Sequence, residues 1–335
     1  MILREIRKKF LDFFEKNGHK IAPSFSLIPD DPSVLLTTAG MQQFKPYYLG
    51  EKSPWGDRVA TIQKCFRTSD IEEVGDESHL TFFEMFGNFA FNSDYFKKES
   101  LEWTVEFLTK DMGISWDRIW CSVFEGDKDV PFDKESYDIL EKIGFADKNI
   151  KKFGRKDNFW GPTGPEGPCG PNVEFYVDDL EVWNNVFNEY FKFKDGKLEL
   201  LKNKGVDTGM GLERLVKVMQ GVETVFDTDL FSPIIKKIEE LCGKSYKDNA
   251  KNFRIIADHM RGSVFLIGDG VSPSNIERGY ILRRLLRRSI RYAKLLELPE
   301  NWHAETIKMI IENYKEYYPE LEQREGEIIR NKRRK

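Results

Sequence analysis

The hydrophobic pattern of this chain changes character once, near residue 228, and that change restricts the fold more than any other feature. Before it, short apolar stretches read as strands: Thr61 to Arg67, His79 to Phe89, Trp120 to Phe124, Val173 to Val177 and Glu181 to Phe191. Helical stretches, Tyr95 to Met112 and Leu212 to Met219, interrupt them without a regular strand–helix repeat. That order favours an antiparallel α+β domain over a doubly wound one. From Asp229 onward helical spacing dominates: Leu230 to Cys242 before Gly243, Phe253 to Ile267 before Gly268, Glu277 to Leu296, and Ala304 to Tyr317. The expected organisation is an α+β domain at 1–228, an antiparallel sheet flanked by helices, followed by a helical domain at 229–335. The charged stretch from Glu320, ending Lys332-Arg333-Arg334-Lys335, reads as a frayed helix or as disorder.

With 26 Phe and 7 Trp, the core is expected to be aromatic. A net charge of −4 does not announce nucleic-acid binding, so any such binding must come from local basic patches. Cys65, Cys121, Cys169 and Cys242 are far apart and form no Cys-x-x-Cys pair, which argues against structural zinc and against a disulfide framework. No apolar run approaches the roughly 20 residues of a membrane span. Met1 to Lys20 reads as an amphipathic helix with Leu3, Ile6, Phe10, Phe13 and Phe14 on one face; its acids, Glu5, Asp12 and Glu15, argue against a mitochondrial presequence. A cytoplasmic, monomeric protein without membrane contact is expected.

Gly161 to Asn172 has the period of collagen, but a triple helix needs many more repeats and three chains. The expected use is a rigid loop, since prolines fix φ and glycines permit turns.

Gly205 to Leu215, read Gly-Val-Asp-Thr-Gly-Met-Gly-Leu-Glu-Arg-Leu, is the most suggestive chemistry. Gly209 and Gly211 let backbone approach something bulky and charged, Asp207 precedes them, and Glu213-Arg214 opens a helix. A site for a triphosphate together with an ammonium group fits that set; a glycine-rich turn before a helix is the plain alternative. Upstream, Thr61 to Arg67 and His79 to Phe89 are two strands around a polar, acidic loop, Thr68 to Ser78. This pair resembles motif 2 of class II aminoacyl-tRNA synthetases, and Gly209 to Arg214 resembles their motif 3. Four segments together, Thr38 to Lys45, Phe82 to Phe89, Trp183 to Phe187 and Val206 to Arg214, resemble the alanyl-tRNA synthetases, and the likeness runs from the first helix to about residue 298. Gly167 to Pro171 matches a Gly-Pro-Cys-Gly-Pro segment of that family; the triplets before it depart from many members.

The resemblance implies a class II synthetase-like sheet and a set of roles. Arg67 would neutralise the α-phosphate of ATP, a task suited to a guanidinium fork; the alternative is a salt bridge to Asp70, Glu72 or Glu73. Arg214 would lie against adenine and the γ-phosphate, and His79 would contact the terminal phosphates. Phe83 is the candidate for stacking on adenine, with Phe82 as the rival by a register slip; Phe83, Met85 and Gly87 share one strand face, and Met85, Gly209 and Gly211 belong to the same ATP-binding set. Glu181 and Asn184 would hold Mg²⁺ on the phosphates, although strict alternation puts them on opposite faces, so a bend or bulge is required. Asp207 would receive the α-ammonium of alanine, or else cap the turn before a helix. Trp160 and Val186 would wall a methyl-sized pocket, or simply be core, and Met41 and Gly209 would join them in binding alanine.

Arg283, Arg284, Arg287, Arg288 and Arg291 lie along one helix, opposite Leu282, Leu285, Leu286, Ser289 and Ile290. They suit an RNA phosphate backbone or are a solvated face. Asn275 matches a family Asn that reads the acceptor-stem G·U pair. The implied function is activation of L-alanine with ATP and Mg²⁺, without zinc, and its transfer to the 3′ end of a tRNA of alanine identity. The alternatives are an adenylate-forming class II paralogue that charges no tRNA, or a non-catalytic RNA- or protein-binding paralogue. The family's editing domain carries a His-x-x-x-His pattern that His19, His79, His259 and His303 do not form.

Overall fold

The computed structural model describes residues 1–31, 34–162 and 164–331; Thr163 of the Gly-Pro run and the terminal Lys332-Arg333-Arg334-Lys335 lie outside them. Its strands are β1 (Lys20–Ile21), β2 (Arg58–Phe66), β3 (Phe82–Ala90), β4 (Ile119–Phe124), β5 (Ile150–Phe153), β6 (Phe159–Trp160), β7 (Gly167–Val177), β8 (Leu180–Lys192) and β9 (Leu198–Gly211). They form one sheet in the order β1-β2-β3-β9-β8-β7-β4-β5, with β6 paired to β7. From β3 through β9, β8 and β7 to β4 every pairing is antiparallel, while β1/β2 and β4/β5 are parallel. The antiparallel α+β class expected from the sequence is what forms.

The helices are α1 (Leu3–Lys16), α2 (Lys45–Tyr48), α3 (Lys97–Glu106), α4 (Lys134–Ile143), α5 (Arg155–Asn158), α6 (Leu212–Gln220), α7 (Ser232–Cys242), α8 (Tyr246–Gly268), α9 (Glu277–Leu295), α10 (Trp302–Tyr314), α11 (Glu320–Gln323) and α12 (Glu325–Asn331). The chain groups into two compact units. One takes residues 1–25, 39–63 and 84–219; the other takes 26–38, 64–83 and 220–335.

The first unit has the aromatic core that the composition implies. The apolar stripe of α1 buries Ile6, Phe10, Phe13 and Phe14. Phe10 stacks on Phe86 of β3 at 4.3 Å and meets Phe107 edge-on at 5.8 Å, and Trp183 closes the cluster. The stretch expected as one helix from Tyr95 to Met112 is α3 followed by a single π-helical turn, Phe107–Asp111. That turn keeps Phe107 and Leu108 buried.

The Gly-Pro run departs from the expected loop. Gly167 to Asn172 is the start of β7, with Gly170 opposite Trp160. A Cβ on Gly170 would stand 1.8 Å from the Phe187 carbonyl oxygen, so glycine is what admits the neighbouring strand there. Pro171 is accommodated where the β7/β8 register shifts, between Cys169 and Asn172, while Pro168 stands opposite Phe191 just before the shift.

In the second unit α8 is the buried centre. Phe82 stacks on Phe265 at 4.0 Å, and the fully buried Arg261 guanidinium lies over the rings of Phe82 and Phe231, each at 4.7 Å. The tail from Glu320 is neither frayed nor disordered over its described part. Leu321 and Ile328 are buried, and Arg324 donates to the Gly268 carbonyl at 2.6 Å. Two apolar residues among the charges are enough to dock short helices. Ile290 differs as well: it stands 40% exposed instead of lying with the apolar side of α9.

Candidate functional site

Period-two alternation divides the sheet of the first unit into two faces. One face is covered by helices. Glu84 pairs with Arg7 of α1 at 2.5 Å, Phe86 stacks on Phe10, and Asn185 accepts hydrogen bonds from Ser100 and Thr104 of α3, each at 3.0 Å. Thr208 and Met210 share this face, with the Thr208 hydroxyl donating to Asn88 at 2.6 Å.

The alternate residues form the other face, and cross-strand register aligns them in rows. Asp207 is opposite Phe89 on one side and Val186 on the other, and Val186 is opposite Asn172. Gly209 is opposite Asn184, and Asn184 is opposite Glu174. Gly211 is opposite Met85. One face therefore gathers Met85, Asn184, Val186, Asp207, Gly209 and Gly211 of the sequence-derived set.

The segment after Gly40 closes over the Phe89 end. The Gly40 N–H donates to Met85 Sδ at 3.4 Å, and the Tyr48 hydroxyl donates to the Val206 carbonyl at 2.6 Å. Met41 is buried in a cluster with Phe44, Tyr48 and Phe89. At Gly209 the neighbour is a thioether, not a charge: a Cβ there would stand 2.9 Å from Met85 Sδ. At Gly211 a Cβ would touch the Arg214 side chain at 3.6 Å. Val186 is buried, and Trp160 is 37% exposed on β6.

Asp207 is half-buried, and no group among the described residues hydrogen-bonds or pairs with its carboxylate. Burial pushes its carboxyl up to about 7. The Tyr48 phenol is likewise raised, first by its own burial and then by the Asp207 charge.

Glu181 and Asn184 reach compatible positions by the bulge that alternation demanded. Phe175 is opposite Trp183 while Tyr176 is opposite Glu181, so Val182 is an extra residue in β8. Val182 and Trp183 are both buried, and Glu181 and Asn184 on either side are half-buried. Arg214 grips Glu181 through Nη1, 2.9 Å from Oε2 and 3.1 Å from the carbonyl oxygen. Asn184 donates to Glu174 at 3.1 Å and accepts from Asn172 at 2.9 Å. Asn172 and Glu174 are absent from the sequence reading. The available signal was the polar alternation Asn172, Glu174, Tyr176 along β7. Burial, and then the nearby charges of Glu181 and Asp157, push the Glu174 carboxyl up to about 7 against the hydrogen bond from Tyr176.

The second unit holds Arg67, His79 and Phe83. The Arg67 guanidinium lies over the Phe83 ring at 5.0 Å, and no carboxylate among the described residues pairs with it. Of the acids weighed as its salt-bridge partners, Asp70, Glu72 and Glu73, Glu72 instead pairs with Arg284 and with Arg288 at 2.5 Å. The Arg284 hydrogen bond holds Glu72 below the usual carboxylate range. Phe82 is fully buried and Phe83 half-buried. His79 is exposed, with Nδ1 on Asp76 at 2.5 Å. On α9, Arg283, Arg287 and Arg291 form an exposed row, and Arg283 donates to Asn275. Arg288 also donates to His259 at 3.0 Å.

All four cysteines are free. Among the described residues no helix is long and apolar enough to cross a membrane.

The sequence profile of the tRNA synthetases class II (A) matches residues 5–333. An alanine–tRNA ligase of Thermotoga maritima is 48% identical over an alignment covering 98% of this chain and 40% of that protein. One of Rubrobacter xylanophilus is 49% identical, covering 86% of this chain and 36% of that protein. One of Borrelia hermsii is 46% identical, covering 98% and 60%. The chain thus spans less than two thirds of the length of these curated relatives.

Proposed function

The chain belongs to the class II (A) tRNA synthetases, and on that premise we propose that it activates L-alanine with ATP to alanyl-adenylate and transfers the alanine to the 3′ end of a tRNA of alanine identity. The observation that carries the choice of amino acid is Asp207: a half-buried carboxylate without a partner, in a row with Val186 and Phe89. A desolvated acid with no cation of its own is suited to a substrate ammonium. Val186, Met41 and Trp160 supply apolar surface for a methyl group, with Gly209 keeping the floor of the site low. The names of the relatives, alanine–tRNA ligases, support the same substrate.

Arg67 takes the α-phosphate, where negative charge gathers as the alanine carboxylate attacks phosphorus and pyrophosphate leaves. Phe83 offers a half-exposed ring to adenine, Met85, Gly209 and Gly211 contribute to nucleotide binding, Arg214 takes adenine and the γ-phosphate, and His79 takes the terminal phosphates. Glu181 and Asn184 are the ligands proposed for Mg²⁺. The fit is chemical: Mg²⁺ takes oxygen donors, keeps several waters and needs few protein ligands when phosphates share it. It would neutralise phosphate charge while bound there. Alanine-dependent exchange of pyrophosphate into ATP tests the adenylation half.

Residues 1–228 are assigned to aminoacylation and 229–335 to the tRNA acceptor stem, with Asn275 and the arginines of α9 as its contacts. Reversing charge at Arg287 and Arg291 is expected to weaken tRNA charging while sparing adenylate formation, and tRNA affinity should fall steeply with salt. Charging and exchange assays on Arg287→Glu/Arg291→Glu measure this; equal loss of both activities would make the row structural.

Glycine and serine should also be activated. Losing one methyl group costs a wrong substrate only ~1–3 kcal/mol, and Asp207 with nearby backbone amides can partly satisfy the hydroxyl of serine. Steady-state exchange with each amino acid reads the ratio; total rejection of serine would mean a tighter pocket than Val186, Met41 and Trp160 provide, and total rejection of glycine would mean methyl contacts worth more than ~1–3 kcal/mol.

A further inference from the structure

The backbone N–H of Arg67 donates to the carbonyl of Thr81 at 2.8 Å, so the placement of this arginine follows that of Thr81. Thr81 is fully buried, and both of its donors go to one carboxylate. Its N–H reaches Asp258 Oδ1 at 2.9 Å and its hydroxyl reaches Oδ2 at 2.7 Å. Asp258 is on α8 and is itself fully buried. A carboxylate so placed needs charge compensation as well as hydrogen bonds.

The compensation comes through His259, also fully buried. Its Nδ1 is 2.9 Å from Asp258 Oδ2, and its Nε2 is 3.0 Å from Arg288 Nε. Arginine can only donate, so Nε2 accepts and the ring proton sits on Nδ1, from where it is donated to Asp258. A continuous chain results: Arg288, His259, Asp258, Thr81, Arg67. Neighbouring contacts hold it in register. Phe82 is stacked on Phe265, Arg261 donates to the Phe82 carbonyl at 3.3 Å, and a Cβ on Gly262 would stand 3.1 Å from the Thr81 hydroxyl oxygen. Gly262 is therefore what lets α8 approach this closely.

We propose that Asp258 and His259 are positioning residues for Arg67 in adenylation, acting through Thr81; the inference rests on the role given to Arg67 above. Gripping Thr81 at two atoms removes its freedom to rotate, and a guanidinium that must meet a phosphate in the transition state depends on such fixed support. The chain also divides the arginines of α9. Arg288, with only 18% of its side chain exposed, is committed to His259 and Glu72, whereas Arg287 and Arg291 face solvent.

The test uses the full chain with Asp258→Ala and the nearly isosteric Thr81→Val, which keeps the backbone donor and removes only the hydroxyl. Amide hydrogen exchange at Arg67, measured without substrates, is expected to speed up by ~10-fold or more in either variant. Pyrophosphate exchange should lose about 10- to 100-fold in kcat, with the KM for alanine changed by less than about twofold. Each loss should largely vanish in an Arg67→Ala background, because positioning has no value once the positioned group is gone. Undisturbed protection of the Arg67 amide, or losses that simply multiply with Arg67→Ala, would overturn the proposal. If Asp258→Ala does not fold, Thr81→Val decides alone. Absence of alanine-dependent exchange in the parent protein would remove the functional reading, and the amide measurement would still decide whether Asp258 holds Arg67.

Discussion

Replacing Arg67 with alanine is expected to cut alanine-dependent pyrophosphate exchange by at least ~10²-fold, the scale for losing one preorganised charge donor. The expectation rests on how this side chain is kept. Its guanidinium lies over the Phe83 ring, no carboxylate among the described residues pairs with it, and one nearby acid, Glu72, is held by Arg284 and Arg288. A cation left without a carboxylate is available to a phosphate. Arg67→Lys should recover only part of the rate, since a point charge cannot match two phosphoryl oxygens as a planar fork does. Exchange at the parental rate in Arg67→Ala would remove Arg67 from the chemistry.

Asp207→Asn is expected to raise the KM for alanine by roughly 30-fold or more, because truncating one partner of a buried charge pair costs ~2–5 kcal/mol. The KM for ATP should barely move. The carboxyl is pushed up to about 7 by burial, and the ammonium binds its ionised form. Alanine affinity should therefore rise with pH from 6 to 8, by up to about tenfold per unit below 7, and Asp207→Asn should flatten that dependence. Stability gives an independent readout with a defined sign. Between its ordinary unfolded value and about 7, the acid is ionised when unfolded and protonated when folded, so the unfolded state gains as pH rises through that window. Thermal melts of Asp207→Asn should exceed those of the parent by a margin that grows from pH 4 to pH 7 and then levels. Equal damage to alanine and ATP binding would assign Asp207 to the nucleotide or to the fold.

Several strand positions and the shared face of Phe83, Met85 and Gly87 were legible because alternation is a local property of the chain, whereas the strand that carries Asp207, Gly209 and Gly211 was hidden by its glycines, which read as a turn before a helix. The requirement for a bulge between Glu181 and Asn184 was legible too, since two residues three apart cannot share a face of a regular strand. Its location at Val182 was not, because a bulge is set by the partner strand β7. The same limit hid Asn172 and Glu174, whose significance appears only when β7 is laid against β8. Gly161 to Asn172 looked like a rigid loop because its prolines fix φ and its glycines permit turns, yet close packing at Gly170 pulled Gly167 to Asn172 into β7. Net charge counts could not show which arginines of α9 are free, since Glu72 and His259 reach Arg288 from distant sequence. The charged tail was misread because Leu321 and Ile328 find burial that composition does not reveal.

Amino-acid-dependent exchange of labelled pyrophosphate into ATP, with every proteinogenic amino acid offered in turn and with tRNA present or absent, tests the central claim most directly. The account predicts the highest kcat/KM with alanine, glycine and serine following at about 10- to 200-fold lower values, and no requirement for tRNA. Exchange driven better by another amino acid, or none with alanine, would contradict it.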